Sequence, residues 1–291
     1  MKWLIVGGDG QLGRSLSEDL LKKGEKFLAL NRTQLDITNQ NEIHKALHEF
    51  HPDVVINAAA WTNVDSAEKS EVDARLVNAT GAALLAQECS NTNSRLVHIS
   101  TDYVFSGNSQ VPWPEGSKLA PVSAYGRTKA EGEKLVLEFS SGCAYIVRTG
   151  WLYGKHKHNF AKTMVDLAFR NTDVVEVVND QIGQPTYSAD LANQIYQLIY
   201  ASAPAGVYHA TNSGQATWFD FAQEIFSLLG INPNRVVPID SEKTHRAAVR
   251  PAYSVLGHQL WSDVGIQPMR DWRVALEVAI PEILVAKNLK E

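Results

Sequence analysis

The sequence predicts an α/β chain built on a doubly wound parallel sheet, with a smaller C-terminal lobe. Three observations carry this. Short apolar runs alternate with amphipathic stretches from Lys2 to Thr149. The runs are continuous rather than alternating, as strands covered on both faces are. Glycines fall as Gly7-x-x-Gly10-x-x-Gly13 directly after the first run, where a phosphate-cradling turn belongs.

Lys2 to Val6 reads as the first strand. Arg14 to Lys23 is a helix, with Leu12, Leu16, Leu20 and Leu21 at helical spacing and Gly24 as its stop. Lys26 to Asn31 is the second strand. Gln40 to Phe50 is a helix with Ile43, Leu47 and Phe50 on one face, and Pro52 to Asn57 is a third strand. Val64 to Glu68 reads as polar loop and Asp73 to Cys89 as a long helix, with Val77, Leu84 and Leu85 inward. Arg95 to Ser100 is a strand, the helix carrying Tyr125 runs to Phe139, and Cys143 to Arg148 is a fifth strand. Beyond residue 155 the regularity weakens. Helices are expected over Asn159–Arg170, Ala189–Tyr200, Thr217–Leu229 and Leu276–Lys287, with strands at Val174–Val178 and Gly206–Ala210. Residues 179–186 and 232–251 read as loop. The boundary follows: residues 1–154 as a nucleotide-binding domain, and residues 155–291 mainly as a lobe that closes one side of its cleft, interleaved with the first.

With 291 residues the chain can bury a large core. A net charge of -5 argues against a sequence-independent grip on nucleic acid, which needs a basic surface. No stretch approaches the roughly 18 apolar residues of a membrane span. The opening run, Trp3 to Val6, is too short for a signal peptide and leads straight into glycines. Cys89 and Cys143 form no metal or redox motif and read as free thiols of a reducing, cytoplasmic setting.

The glycine triplet has the context of a dinucleotide site. Gly7 allows the tight turn, Gly10 lets backbone approach a pyrophosphate, and Gly13 lets helix pack on strand. Asn31 and Arg32 end the second strand where an acidic residue would favour NAD. A neutral side chain and a cation there favour a 2′-phosphate, so NADPH is expected, with NADH the alternative. Asp36 could reach an adenine or serve as a cap. Ala58, Ala59 and Ala60 leave room for a flat ligand.

Tyr125 and Lys129 stand i, i+4 at a helix start, one turn apart on one face. A nearby ammonium should lower the phenol's pKa. Tyr125 can then give a proton to a carbonyl oxygen as hydride reaches the carbon, and Thr101 can hold the same oxygen. Tyr153 and Lys157 repeat the spacing in a basic loop, read as solvated. His156 and His158 lack a third ligand, so no metal is expected. Trp151, beside this site, could stack on a sugar or pack between lobes. Gly-x-Ser-x-Gly is absent, so no nucleophile elbow is present.

Together these residues resemble the extended short-chain dehydrogenases/reductases, a superfamily with a Rossmann-type doubly wound sheet. Within it the resemblance narrows to the dTDP-4-dehydrorhamnose reductases. It rests on Gly10-Gln11-Leu12-Gly13, Asn57-Ala58-Ala59-Ala60-x-Thr62, Ser100-Thr101-Asp102-Tyr103-Val104-Phe105, Tyr125-Gly126-x-x-Lys129, Arg148-Thr149-x-Trp151, Asp180-Gln181-x-Gly183 and Arg250-Pro251, over nearly the whole chain. The resemblance implies NADPH-dependent reduction of dTDP-4-dehydro-L-rhamnose to dTDP-L-rhamnose. It puts Gly10, Gln11 and Leu12 on the pyrophosphate, Asn31, Asp36 and Ile37 on the adenosine side, and Ala58 to Ala60 and Ile99 along the cofactor. It makes Tyr125 the proton donor and Lys129 the nicotinamide-ribose ligand. Thr101, Asp102 and Trp151 would meet the sugar nucleotide, and Arg250 its diphosphate. Related dehydratases carry Glu after Thr-Asp; Tyr103 stands there, which points to reduction without dehydration. Ser15 replaces an acidic residue that bridges metal-linked dimers in some relatives, so a monomer or weak homodimer is expected. The competing readings are a reductase or epimerase for another dTDP-deoxysugar and a non-catalytic NADP-binding regulatory subunit.

Overall fold

The computed structural model describes residues 1–170 and 173–288. Strands β1 (Lys2–Val6), β2 (Lys26–Leu30), β3 (Val54–Asn57), β4 (Arg95–Thr101) and β5 (Ala144–Thr149) lie in one sheet, ordered β2-β1-β3-β4-β5. A sixth strand, Gly206–His209, adds to the far side of β5, and every pairing is parallel. The order reverses between β1 and β3. In an open parallel sheet that reversal leaves a crevice at the strands' carboxyl ends. Val6 faces both Leu30 and Asn57, Asn57 faces His98, and Thr101 faces Thr149, so the residues at these strand ends share one rim.

Helices cover both faces, because every side chain of β3 and β5 is buried. On one face Leu12, Leu16 and Leu20 of α1 (Gln11–Lys22) pack with Leu191, Ile195 and Leu198 of the Ser188–Tyr200 helix. On the other, Ile43 and Leu47 of α2 (Gln40–Phe50) meet Leu85, Ala86 and Cys89. A second core, including Met164, Phe221, Phe226, Trp272 and Leu276, fills the C-terminal lobe. No helix among the described residues is long and apolar enough to cross a membrane.

Several local expectations are corrected. Val64–Lys69 is a short helix, not polar loop, because Asn63 caps it by accepting from the Ser66 N–H. The long helix starts at Glu71 and carries a π-helical segment at Leu76–Gly81 before continuing as Ala82–Asn91. Leu85 is buried there, while Val77 and Leu84 are only partly so. The stretch 179–186 contains two-residue strands at Ile182–Gly183 and Thr186–Tyr187, and Val236–Ile239 pairs with Val175–Val178.

The π segment positions the cleft. Asn78 within it accepts from the Trp61 N–H at 2.8 Å and donates to the Trp61 carbonyl at 3.2 Å and to Thr128 Oγ1 at 3.1 Å. A Cβ on Gly132 of the Tyr125-bearing helix (Ala124–Phe139) would lie 2.1 Å from the Asn78 carbonyl. Only glycine lets those two helices approach so closely.

Candidate active site

The carboxyl ends of the strands open on a cavity of about 740 Å³. It brings together Gly7, Gly10, Gln11, Leu12, Asn31, Arg32, Asp36, Ile37, Ala58, Ala59, Ala60, Ile99, Thr101, Asp102, Tyr125, Lys129 and Trp151. Of the residues singled out from sequence, Gly13 and Arg250 do not line it. Gly13 is a packing residue: a Cβ there would sit 2.4 Å from the Gly7 carbonyl.

The turn fits a pyrophosphate. Gly7 has φ +82°, and a Cβ on it would stand 2.7 Å from the Ala59 nitrogen. Gly10 precedes α1 in extended backbone, no side chain caps the helix, and its first turn has no acidic residue. The first N–H groups, with the positive end of the helix dipole, are therefore left to an anion.

At the adenosine end, Asn31 is a structural hub. Its Oδ1 accepts from Thr33 N, Thr33 Oγ1 and Gln34 N, and its Nδ2 donates to Asp9 at 3.0 Å. Arg32 projects freely, its side chain 79% exposed and 3.7 Å from Asp36. Asp36 accepts from the Thr38 N–H and hydroxyl. These bonds hold its carboxyl below the usual range, with Arg32 adding to the effect. Thus Asp36 closes a turn ahead of α2, whose cap is Asn39 rather than Asp36, and it also faces the cavity.

At the other end Thr101 Oγ1 donates to buried Asp102 at 3.0 Å and accepts from the Tyr103 N–H at 3.2 Å. The Tyr125 hydroxyl is bonded to Thr101 as well. The Thr101 proton can go to Asp102 or to the phenol oxygen, and its bond to the phenol favours the ionised form. Burial pushes Asp102 up to about 6 against the pull of its hydrogen bonds from Ser254 and Thr101.

The expected lowering of Tyr125 is corrected. Burial raises the phenol to about 12, opposed by the Thr101 bond and reinforced by the Asp102 charge. Lys129 exerts no compensating pull because it turns inward. Its Nζ donates to the Ile99 carbonyl at 2.6 Å and lies 3.2 Å from His98 Nε2. Burial brings it down to about 8, with Glu133 pulling the other way.

His98 constrains Lys129 further. Asn57 Oδ1 accepts from the Ala59 N–H at 3.2 Å, so its Nδ2 donates to His98 Nδ1 at 3.1 Å. Burial, then the Lys129 charge, holds the imidazole well below its usual pKa and hence neutral. Its one proton therefore sits on Nε2, aimed at Lys129, which can accept it only as an amine.

Of the two roles weighed for Trp151, packing against the C-terminal lobe is the one the structure shows. Trp151 lines the cavity and stacks on Trp218 of the C-terminal lobe, centroids 3.5 Å apart and planes 4° apart. Its φ of +47° is unusual for a bulky residue and is held by this packing. Arg250 instead pairs with Asp65 at 2.8 Å and lines a neighbouring hollow of about 200 Å³. That bond draws Asp65 down to about 2 against its burial.

The basic loop is also not simply solvated. Tyr153 is buried, Lys155 and His156 bind Glu18 at 2.8 and 2.9 Å, and exposed Lys157 and His158 face the cavity. Sequence reasoning missed Trp218, Trp61, Asp9 and His98. The Thr217/Asp220 capping box marks a helix start at Trp218, but nothing local says that this start meets Trp151.

Sheet order, glycine turn and the Tyr125 helix converge on one class, the extended short-chain dehydrogenases/reductases. More narrowly, the chain belongs to the RmlD substrate binding domain family, whose model matches residues 1–285. It is 45% identical to a dTDP-4-dehydrorhamnose reductase of Streptomyces griseus, covering 97% of this chain and 94% of that one. It is 44% identical to a dTDP-4-keto-6-deoxy-D-glucose reductase of Streptomyces niveus, covering 96% of each. The crystal structure of a Bacillus anthracis dTDP-4-dehydrorhamnose reductase in complex with NADP superposes with a TM-score of 0.93 at 40% identity, covering 97% and 99% of the two chains.

Proposed function

We propose that the protein reduces the 4-keto group of dTDP-4-dehydro-L-rhamnose with NADPH, giving dTDP-L-rhamnose. The cluster of Tyr125, Thr101 and Asp102, at the rim of a dinucleotide-shaped cavity, carries this reading. The cofactor, when bound, supplies the hydride. Gly10, Gln11 and Leu12 hold its pyrophosphate at the α1 N-terminus, and Ala58 to Ala60 and Ile99 its flat rings. Arg32 meets the 2′-phosphate, and NADH is the poorer donor for want of it. Tyr125 is protonated before turnover, as a proton donor must be, and gives its proton to the ketone oxygen. Thr101 swings its hydroxyl from Asp102 to the same oxygen and stabilises the developing charge. Trp151 packs on the sugar face, and Arg250 serves the diphosphate once it leaves Asp65. Residues 1–154 serve the cofactor and residues 155–291 mainly the sugar nucleotide, in the cytoplasm, as a monomer or weak homodimer.

Stoichiometric oxidation of NADPH with dTDP-4-dehydro-L-rhamnose is the test. A relative of nearly equal identity is named for a different dTDP-4-keto-6-deoxy sugar, which favours a second reading on that substrate. Faster oxidation with the D-gluco ketone would select it, and product formed with no net oxidation would select an epimerase. Tight NADPH binding without turnover of either ketone would leave the regulatory subunit.

In this scheme His98 is a positioning residue for Lys129, which binds the nicotinamide ribose as a cation. The affinity for NADPH therefore falls as pH rises through about 8, where Lys129 loses its proton. His98→Leu removes the N–H aimed at the amine, and the midpoint moves up by about one unit. NADPH titrations at a series of pH values measure it; an unmoved midpoint would remove His98 from the scheme.

A further inference from the structure

We propose that His44, His48 and Glu88 form a transition-metal site on the face of the sheet opposite α1. His44 and His48 stand i, i+4 on α2, so both rings leave one side of the helix, centroids 4.0 Å apart. Glu88 reaches them from the Ala82–Asn91 helix. A single carboxylate oxygen, Oε1, lies 2.9 Å from His44 Nδ1 and 3.1 Å from His48 Nε2. All three ligand atoms fall within 4.8 Å of one another.

Three features separate this cluster from an ordinary surface ion pair. Glu88 has a side chain only 7% exposed, and its ion-pair partners among the described residues are these two histidines. A buried carboxylate needs positive charge beside it, and a dication held by both rings supplies that charge at one point. Among the described residues the second oxygen, Oε2, has only a long contact of 3.4 Å from Asn91 Nδ2, so Glu88 can turn toward an ion without losing a strong bond. Finally, tetrahedral bonds of about 2.0–2.1 Å set ligand atoms roughly 3.3 Å apart. The two nitrogen–oxygen distances reach that by opening a few tenths of an ångström.

Two imidazoles and one carboxylate suit Zn²⁺, Co²⁺ or Ni²⁺ rather than Mg²⁺ or Ca²⁺. The exposed rings leave a fourth position to water. The ion would tie α2 to the Ala82–Asn91 helix. Ile37, just before α2, already packs against Gly81, just before that helix: a Cβ on Gly81 would lie 2.8 Å from Ile37 Cγ1. The clamp thus braces the wall of the cavity at its adenosine end, and it stands whatever sugar the enzyme reduces.

The test is calorimetric titration of chelator-treated protein with ZnCl₂, alongside thermal unfolding and the visible spectrum of the Co²⁺-loaded protein. One saturable site of micromolar affinity is expected, with Tm raised by about 3 °C at ten times Kd and the absorption bands of tetrahedral Co²⁺. In His44→Ala/His48→Ala all three signals disappear, while circular dichroism stays as in the parent. Glu88→Gln weakens binding at least tenfold. Absence of a saturable site, or one that survives intact in the double variant, overturns the proposal.

Discussion

Tyr125→Phe lowers turnover by roughly 10²–10⁴-fold, the usual range for a lost general acid, with NADPH affinity nearly unchanged. The substitution removes one oxygen from a ring that packs edge-on against Tyr103, centroids 5.7 Å apart, so the ring itself stays in place. What disappears is the phenol bonded to Thr101. Thr101 cannot replace it: an aliphatic hydroxyl can hold the oxygen by a hydrogen bond but does not give up its proton. A proton must then come from water, a weaker acid that nothing positions at the ketone. Since burial holds Tyr125 near 12, the parent enzyme shows no loss of rate from phenol ionisation up to pH ~10. Turnover in the variant within tenfold of the parent would mean that another group protonates the ketone.

Glu133→Ala destabilises the fold by about 3–5 kcal/mol, as breaking one side of a buried ion pair does, and lowers Tm by roughly 10 °C. Glu133 and Arg148 side chains are 2% and 4% exposed. The guanidinium of Arg148 donates to both carboxylate oxygens, at 2.7, 2.9 and 3.2 Å. It also donates to the Glu115 carbonyl at 3.0 Å and lies over the Phe105 ring at 5.1 Å. Ser100 Oγ donates to the same carboxylate. Alanine leaves an unpaired cation in the sheet's interior, one residue from the Thr101 strand end. Glu133→Gln retains the shape and costs less, but it also removes the charge that raises the Lys129 pKa. The pH midpoint for NADPH binding should then move down, opposite to His98→Leu. Denaturant unfolding measures the first effect; a loss under 1 kcal/mol for the alanine variant would refute it.

The strands and long helices were legible because the sheet is covered on both sides, so each strand prints a continuous apolar run such as Val54 to Ile56. What stayed hidden was short or distant. Ile182–Gly183 and Thr186–Tyr187 are strands of two residues, too short for any period. The helix at Val64–Lys69 depends on one Asn63 cap. The π segment leaves no composition of its own; it answers to Gly132, over fifty residues later.

The site divides the same way. The Tyr125/Lys129 spacing and the glycine turn are local and could be read directly. The pairing of Trp151 with Trp218, of Arg250 with Asp65 and of His98 with Lys129 joins residues far apart in the chain. The direction of the Tyr125 shift is not legible in the sequence for a related reason. Spacing shows that a lysine is near, but not that its amine points away while burial dominates the phenol.

The Gly206–His209 strand has a consequence for how the chain comes off the ribosome. It is the outer neighbour of β5, whose six side chains are all buried, and the Ser188–Tyr200 helix covers the leucine face of α1. Until about two hundred residues have emerged, the nascent sheet has a bare apolar rim and α1, though packed on the sheet, lacks its partner helix. Such an edge invites pairing with another chain. A fragment ending at residue 154 would therefore be a sticky intermediate rather than a small dinucleotide-binding protein, and during synthesis that half must be shielded until the rest arrives.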